Sequence, residues 1–245
     1  MRLPVLALLL LAVPVGAQAP PRAAVLVELF TSEGCSSCPP ADRLLARLAS
    51  EPAAAGVEIV PLAFHVDYWN RLGWADPFSS SAFTERQGDY SRAFGGDRVY
   101  TPQMVVNGRK EFVGSDERVA RSALLAAAKD AIATVRLTVP EGAKGPASLR
   151  VSVGGATEGA EIFLAISEDL LSTDVPRGEN AGRRLEHTAV VRDLRRIGRA
   201  DGAGRFEGSP ALTRDPAWKA GALHAVVFVQ ERGSRRVLGA ARVSL

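Results

Sequence analysis

The sequence predicts two consecutive halves: an α/β half over residues 24–132 and an antiparallel, sandwich-like β half over residues 133–245. Three observations predict this. Apolar strand runs alternate with amphipathic helical stripes up to about residue 131. Beyond that point apolar residues recur at period two, without a strong helical stripe. Turns rich in Gly, Pro, Asp and Asn separate the later runs.

Residues Ala24 to Phe30 form a buried-strand run with one acid, Glu28, inside it. Thr31 to Cys38 is a small-residue turn. A helical stripe follows at Ala41, Leu44, Leu45 and Leu48, with Asp42, Arg43 and Arg47 off that face. Pro52 and Gly56 punctuate its exit. Val57 to Val66 reads as a second strand, and Phe78 to Phe94 as a helix. Met104–Val106 and Glu111–Val113 flank Asn107-Gly108, the strongest short hairpin signal. Ser115 then caps a helix running to about Ala131. Strands linked through helices imply parallel pairing. In the second half Val135, Leu137 and Val139 alternate with polar residues, as do Leu149, Val151 and Val153. Further strands are expected over Glu161–Ser167, Arg184–Asp193, Ala222–Gln230 and Arg236–Leu245.

The 245 residues are 47% hydrophobic and 23% charged, which excludes wholesale disorder, collagen and coiled coil. A formal net charge of +3 carries no nucleic-acid footprint. The N-terminus reads as an export signal: Met1-Arg2, an apolar run from Leu3 to Val15, then small residues that place cleavage after Ala17. That run is too short for a membrane span, and no later segment reaches 18 apolar residues. The mature chain, with no membrane span, is therefore expected in the periplasm or outside the cell, where a close cysteine pair persists as a disulfide.

Cys35 and Cys38 are the two cysteines of the chain. They lie where a strand hands over to a helix, whose free N–H groups and dipole favour a thiolate on the first cysteine. The second is close enough to resolve a mixed disulfide. Pro39-Pro40 suits the first helical turn. Three readings stay open: a redox-active dithiol, an inert bridge, and a metal site with His65 as third ligand. The short loop argues against a bridge made for stability, since it removes little unfolded-state entropy.

These residues resemble the thioredoxin superfamily: Val25 to Phe30 followed by Cys35-Ser36-Ser37-Cys38-Pro39, with Tyr100-Thr101-Pro102 before a strand and its hairpin. The longer set of Phe64–Trp69, Leu72–Trp74, Asp76–Phe78, Tyr100–Gly108, Gly178–Arg183 and Val190–Arg192 resembles something narrower. It is similar to the secreted bacterial thioredoxin-like domain-of-unknown-function family twelve twenty-three. The narrow resemblance covers most of the mature chain, the thioredoxin one about residues 24–131. It implies Cys35 as attacking cysteine, Cys38 as resolving cysteine, Pro102 as a cis-proline, and Thr101 as a source of backbone groups for a bound peptide. Glu28 falls where thioredoxins carry a buried acid that moves a proton for the second cysteine. Two departures stand out. The dipeptide is Ser-Ser with no Trp before Cys35, and 67 residues separate Cys35 from Pro102, implying an insert at about 67–99.

That insert holds Tyr68, Trp69, Trp74, Phe78, Phe83, Tyr90 and Phe94, expected as a cap packed on the sheet, with substrate docking as the alternative. His65 and Asp67 are expected as a hydrogen-bonded structural pair, and His187 and His224 as ordinary sheet residues. The arginines of the second half are expected on a solvated face. The function expected is thiol–disulfide exchange on protein or peptide thiols through Cys35 and Cys38, with no cofactor and no resident metal. The alternative is a binding module for copper(I) or a partner protein.

Overall fold

The computed structural model describes residues 23–51, 57–130, 132–140, 148–212 and 214–245. The expected leader, and Pro52 and Gly56, lie outside the described residues.

Strand β1 (Ala23–Thr31) pairs in parallel with β2 (Val57–His65), placing Thr31 opposite His65. Helix α1 (Pro39–Ser50) connects them. Alternate β1 residues Val25, Val27 and Leu29 pack against Ala41, Leu44, Leu45 and Leu48 of α1, while Leu26 and Phe30 face away. The period of two in the strand and the 3.6-residue stripe in the helix therefore meet in one core. Helix α2 (Ser81–Ala93) is capped by the Ser80 hydroxyl and supplies Phe83 and Tyr90 to the opposite face. The insert is thus largely a packed cap. Strands β3 (Gln103–Val106) and β4 (Lys110–Val113) form the hairpin on β1's other edge, with Asn107 and Gly108 both left-handed. Helix α3 (Glu117–Ala127) closes the α1 side. Asp116, not Ser115, caps it, its carboxylate accepting from the Val119 amide.

The second half contributes β5 (Thr134–Thr138), β6 (Arg150–Gly154), β7 (Glu161–Glu168), β8 (Leu171–Asp174), β9 (Arg184–His187), β10 (Val190–Arg199), β11 (Phe206–Gly208), β12 (Leu223–Gln230) and β13 (Val237–Ser244). The run expected as one strand over 184–193 is broken at Ala189, which is left-handed.

These strands do not form a self-contained sandwich. Four of them extend the first sheet, giving the eight-stranded order β13-β12-β7-β10-β2-β1-β3-β4. The join is at Val190 opposite Ala63, where the Ala63 amide donates to the Ala189 carbonyl. The physical reason is burial. β7 and β12 are covered on nearly every residue, as central strands are, so neither offers the wet face that an independent antiparallel sheet would keep. One face packs on β5, β6 and β11, with Leu149, Val151 and Val153 against Ile162, Leu164 and Val227. The other shares a core with the first half, where Val226, Phe228 and Val237 meet Leu26, Phe30 and Phe64.

The sheet rolls until β13 comes against β1. Asn107 closes the roll: its side chain accepts from the Leu26 amide and its carbonyl from the Val237 amide. Gly108 is required beside it. It has φ +60°, and a Cβ there would sit 1.9 Å from the Arg235 carbonyl oxygen. Among the described residues no helix is long and apolar enough to cross a membrane.

Candidate functional site

Cys35 and Cys38 are joined as a disulfide, their Cα atoms 5.4 Å apart. Cys38 is the N-cap of α1, and its carbonyl accepts from the Ala41 and Asp42 amides at 2.8 and 3.1 Å. The Ser37 hydroxyl lies 3.4 Å from the Cys35 sulfur. The peptide bond between Thr101 and Pro102 is cis. Pro102 approaches the first turn of α1 across Gly114, where a Cβ would meet Leu29, Ala41 and Pro102 at 2.8, 3.2 and 3.3 Å. Thr101 is tied toward the cysteine loop by Trp69, whose indole N–H donates to its hydroxyl at 2.8 Å. The Trp69 Cβ also lies 3.1 Å from where a Cβ on Gly34 would stand.

Glu28 is elsewhere. It lies on the face of β1 turned away from α1, where Arg86 Nε donates to it at 2.7 Å and the Tyr90 hydroxyl also donates. Leu29 takes the position facing α1. A strand alternates sides, so one residue of loop length decides which neighbour faces the helix. Arg86 is further enclosed by the rings of Phe64, Tyr90, Phe163 and Phe228. Glu28 is thus half of a saturated structural ion pair.

A second buried group of charges lies beside the cysteines. His65, at the end of β2, bonds through Nδ1 to Asp76 at 2.7 Å, not to Asp67, which instead accepts from the Thr84 hydroxyl. Burial alone would depress the His65 imidazole, but the Asp76 carboxylate outweighs it and holds the pKa above the usual value. Asp76 itself is held low despite burial, by His65 and by the Glu33 and Phe78 amides. His187 bonds through Nε2 to Glu33 at 2.9 Å, and Glu33 also accepts from the Trp74 indole at 2.7 Å. The two imidazoles meet edge to face, centroids 4.9 Å apart, with Phe78 against both. His65 Nε2, His187 Nδ1 and the Thr31 hydroxyl are buried without partners. Asp42, half-buried on α1, is raised above the usual carboxylate range by burial and pulled back by the two imidazoles. Among the described residues, no three His, Cys, Asp or Glu side chains are grouped to hold a metal.

The second half covers the disulfide. Asn180, fully buried, donates to the carbonyls of Glu33 and Cys35 at 2.8 and 2.9 Å. The Glu179 carboxylate accepts from the Ser36 amide at 3.0 Å. Both cysteines are 0% exposed, so the oxidised pair shows no difference in exposure between Cys35 and Cys38.

A family model described as protein of unknown function (DUF1223) matches residues 26–230. The chain belongs to the DUF1223 family. No curated protein matches it. Two solved structures are similar to this DUF1223 chain. Protein AGR_C_4864 from Agrobacterium tumefaciens is 27% identical, with TM-score 0.72, covering 92% of this chain and 96% of its own. HBP35 of Porphyromonas gingivalis is 13% identical, with TM-score 0.67, covering 93% and 77%, and so shows likeness of fold alone.

In this DUF1223 chain, sequence reasoning missed Glu33, Asp42, Asp76, Glu179, Asn180 and His187 as neighbours of the cysteines. Their common signal is weak. Glu33 lies in the cysteine turn and Asp42 one turn after Cys38, but His187 arrives only because β10 joins β2 and carries β9 with it. His224, by contrast, bonds Asp169 away from the site, beside Ser244 at the sheet edge.

Proposed function

We propose that this chain is an exported, thioredoxin-like thiol–disulfide exchange protein acting on protein or peptide thiols through Cys35 and Cys38. The observation that supports it best is the disulfide closed at the N-terminus of a twelve-residue helix, immediately after a central strand. The amides and dipole at that terminus favour an anion on Cys35 once the bridge is reduced. In the exchange, the Cys35 thiolate attacks a partner disulfide, forming a mixed disulfide and releasing one partner thiolate. Cys38 then attacks the Cys35 sulfur, closing the bridge and releasing the second. Asn180 bonds the Cys35 carbonyl and both cysteines are buried, so on this reading a partner displaces residues 178–183 to reach the sulfurs.

The test is trapping. A Cys38→Ala variant, expressed with its leader and recovered from the envelope fraction, accumulates mixed disulfides with other proteins, and Cys35→Ala does not. The leader is absent from the recovered chain, which begins at Gln18. Trapping through neither cysteine sinks the proposal. Full burial of both sulfurs favours a second reading, a static bridge, for which dithiothreitol reduces the pair only as the protein unfolds.

A further inference from the structure

The donors open to an anion on Cys35 are few in this chain. Pro39 and Pro40 occupy the first two positions of α1 and carry no N–H. The Ala41 and Asp42 amides are bonded to the Cys38 carbonyl, and the Cys38 amide donates to the Cys35 carbonyl at 3.2 Å. The Ser36 amide, next to Cys35, donates to the Glu179 carboxylate at 3.0 Å. A negative charge from the second half therefore already holds one of the donors at this helix start.

That carboxylate is held in place although Glu179 is exposed. Gly178 before it packs on Trp74, where a Cβ would stand 3.3 Å from the Trp74 Cβ. Asn180 after it is fully buried and donates to the Glu33 and Cys35 carbonyls. The Ser36 hydroxyl and amide hold the Glu179 carboxyl below the usual carboxylate range, so it is an anion at neutral pH. The Ser36 nitrogen is two covalent bonds, about 2.4 Å, from the Cys35 Cα, which puts the carboxylate oxygen within about 5.5 Å of that Cα and about 8 Å of the Cys35 sulfur. That is about one Debye length at physiological salt, so the two charges sense each other. The other acids packed on the cysteine turn, Glu33 and Asp76, are each bonded to a buried imidazole, of His187 and His65. Asp42 lies further along α1, and Arg183 donates to the Asn180 side-chain oxygen at 3.0 Å. Among the described residues no cation pairs with Glu179.

From this arrangement we infer that Glu179 sets the redox poise of the cysteine pair: its carboxylate keeps the Cys35 thiol less acidic, and the bridge a weaker oxidant, than the helix start alone would make them. The inference rests on the exchange reading. Glu179 acts through Cys35 and forms no bond to the partner. A thiolate on Cys35 finds the Ser36 amide already taken and faces the charge that took it, so the reduced state is the one that Glu179 disfavours. The closed bridge is uncharged and meets no such conflict. A disulfide is a strong oxidant when its reduced form is stabilised, and Glu179 works against that. The second half thereby tunes the chemistry of the first. A partner that displaces residues 178–183 takes the charge away with the cover, so Cys35 is more reactive once engaged than in the free protein.

The test follows alkylation of Cys35 by iodoacetamide against pH in the reduced full chain, with the labelled site assigned by peptide mass. Glu179→Gln keeps an oxygen for the Ser36 amide and removes the charge, and Glu179→Lys reverses it. The midpoint of the profile falls in Glu179→Gln and further in Glu179→Lys. Loss of the one charge gives about threefold more thiolate at a pH below both midpoints, the scale of a solvent-screened pair. The plateau rate at high pH stays within about twofold of wild type, and 1 M salt, where the Debye length is about 3 Å, removes most of the difference. In glutathione buffer, two glutathione thiols reduce the bridge to the dithiol and leave as one glutathione disulfide. Above both midpoints that equilibrium lies about threefold further toward the dithiol in Glu179→Gln. An unchanged midpoint and glutathione equilibrium in both variants, or a raised plateau with an unchanged midpoint, overturns the inference and leaves Glu179 as cover alone. A wild-type Cys35 that stays unreactive at every pH in the folded chain overturns the exchange reading instead.

Discussion

Two buried charge clusters sit on opposite sides of the β1–β2 pair, and they are built to different rules. In the Glu28 cluster, Arg86 spends its donors on Glu28, Gln230 and Tyr90, and Gln230 donates back to the Tyr90 hydroxyl. None of those side chains has a buried atom without a partner. In the His65 cluster two ring nitrogens and a hydroxyl go unpaired, next to the disulfide. The saturated cluster holds the roll of the sheet together. Burial of an acid therefore says little about chemistry until its partners are counted.

Both clusters draw on the second half: Phe163, Phe228 and Gln230 for one, Asn180 and His187 for the other. The largest expected effect follows from that. A fragment ending at Ala133 loses half of the core around Phe30 and Phe64 and uncovers the β2 edge. It is expected to lack a cooperative thermal transition by circular dichroism. A sharp transition near that of the full chain would show two independent cores.

Next comes Arg86→Met, which strands Glu28 unpaired in the interior. Breaking a buried pair from one side costs about 3–5 kcal/mol. Urea unfolding should show that loss while the cysteine reactivity of the folded fraction stays unchanged. Altered reactivity would tie Glu28 to the cysteines after all.

Asn180→Ala is a smaller perturbation. It leaves two buried carbonyls, of Glu33 and Cys35, without their donor, costing about 1–3 kcal/mol. Its sharper signature is faster reduction of the disulfide by dithiothreitol under native conditions. Unchanged reduction kinetics would mean that the 178–183 loop does not guard the pair.

The smallest effect is in pH dependence, and its sign is set by the cluster. His65 is raised, so its contribution is complete below the ordinary value of 6.5 and is lost as pH rises through the folded value. Asp76 is lowered, so its contribution is present above the ordinary 3.8 and is lost as pH falls through the folded value. Asp42, raised by burial, works the other way, since ionising it costs stability as pH climbs past 3.8. The stability difference between wild type and His65→Gln should therefore peak between about pH 4 and the upper side of 6.5. A difference that is flat across that range removes the ion pair from the account.

Local pattern by itself determined the strand of Val25 to Phe30, the apolar face of α1, the Asn107-Gly108 hairpin and the two cysteines at a helix start, because these depend on neighbours in sequence. It also determined that a second, strand-rich half follows. Only the tertiary structure decided which side Glu28 faces, that β10 pairs with β2 as well as with β7 of its own half, and that Asp76 and His187 reach Glu33 in the cysteine turn. Contacts such as His187 to Glu33, 154 residues apart, follow from strand order and register, which no local periodicity encodes.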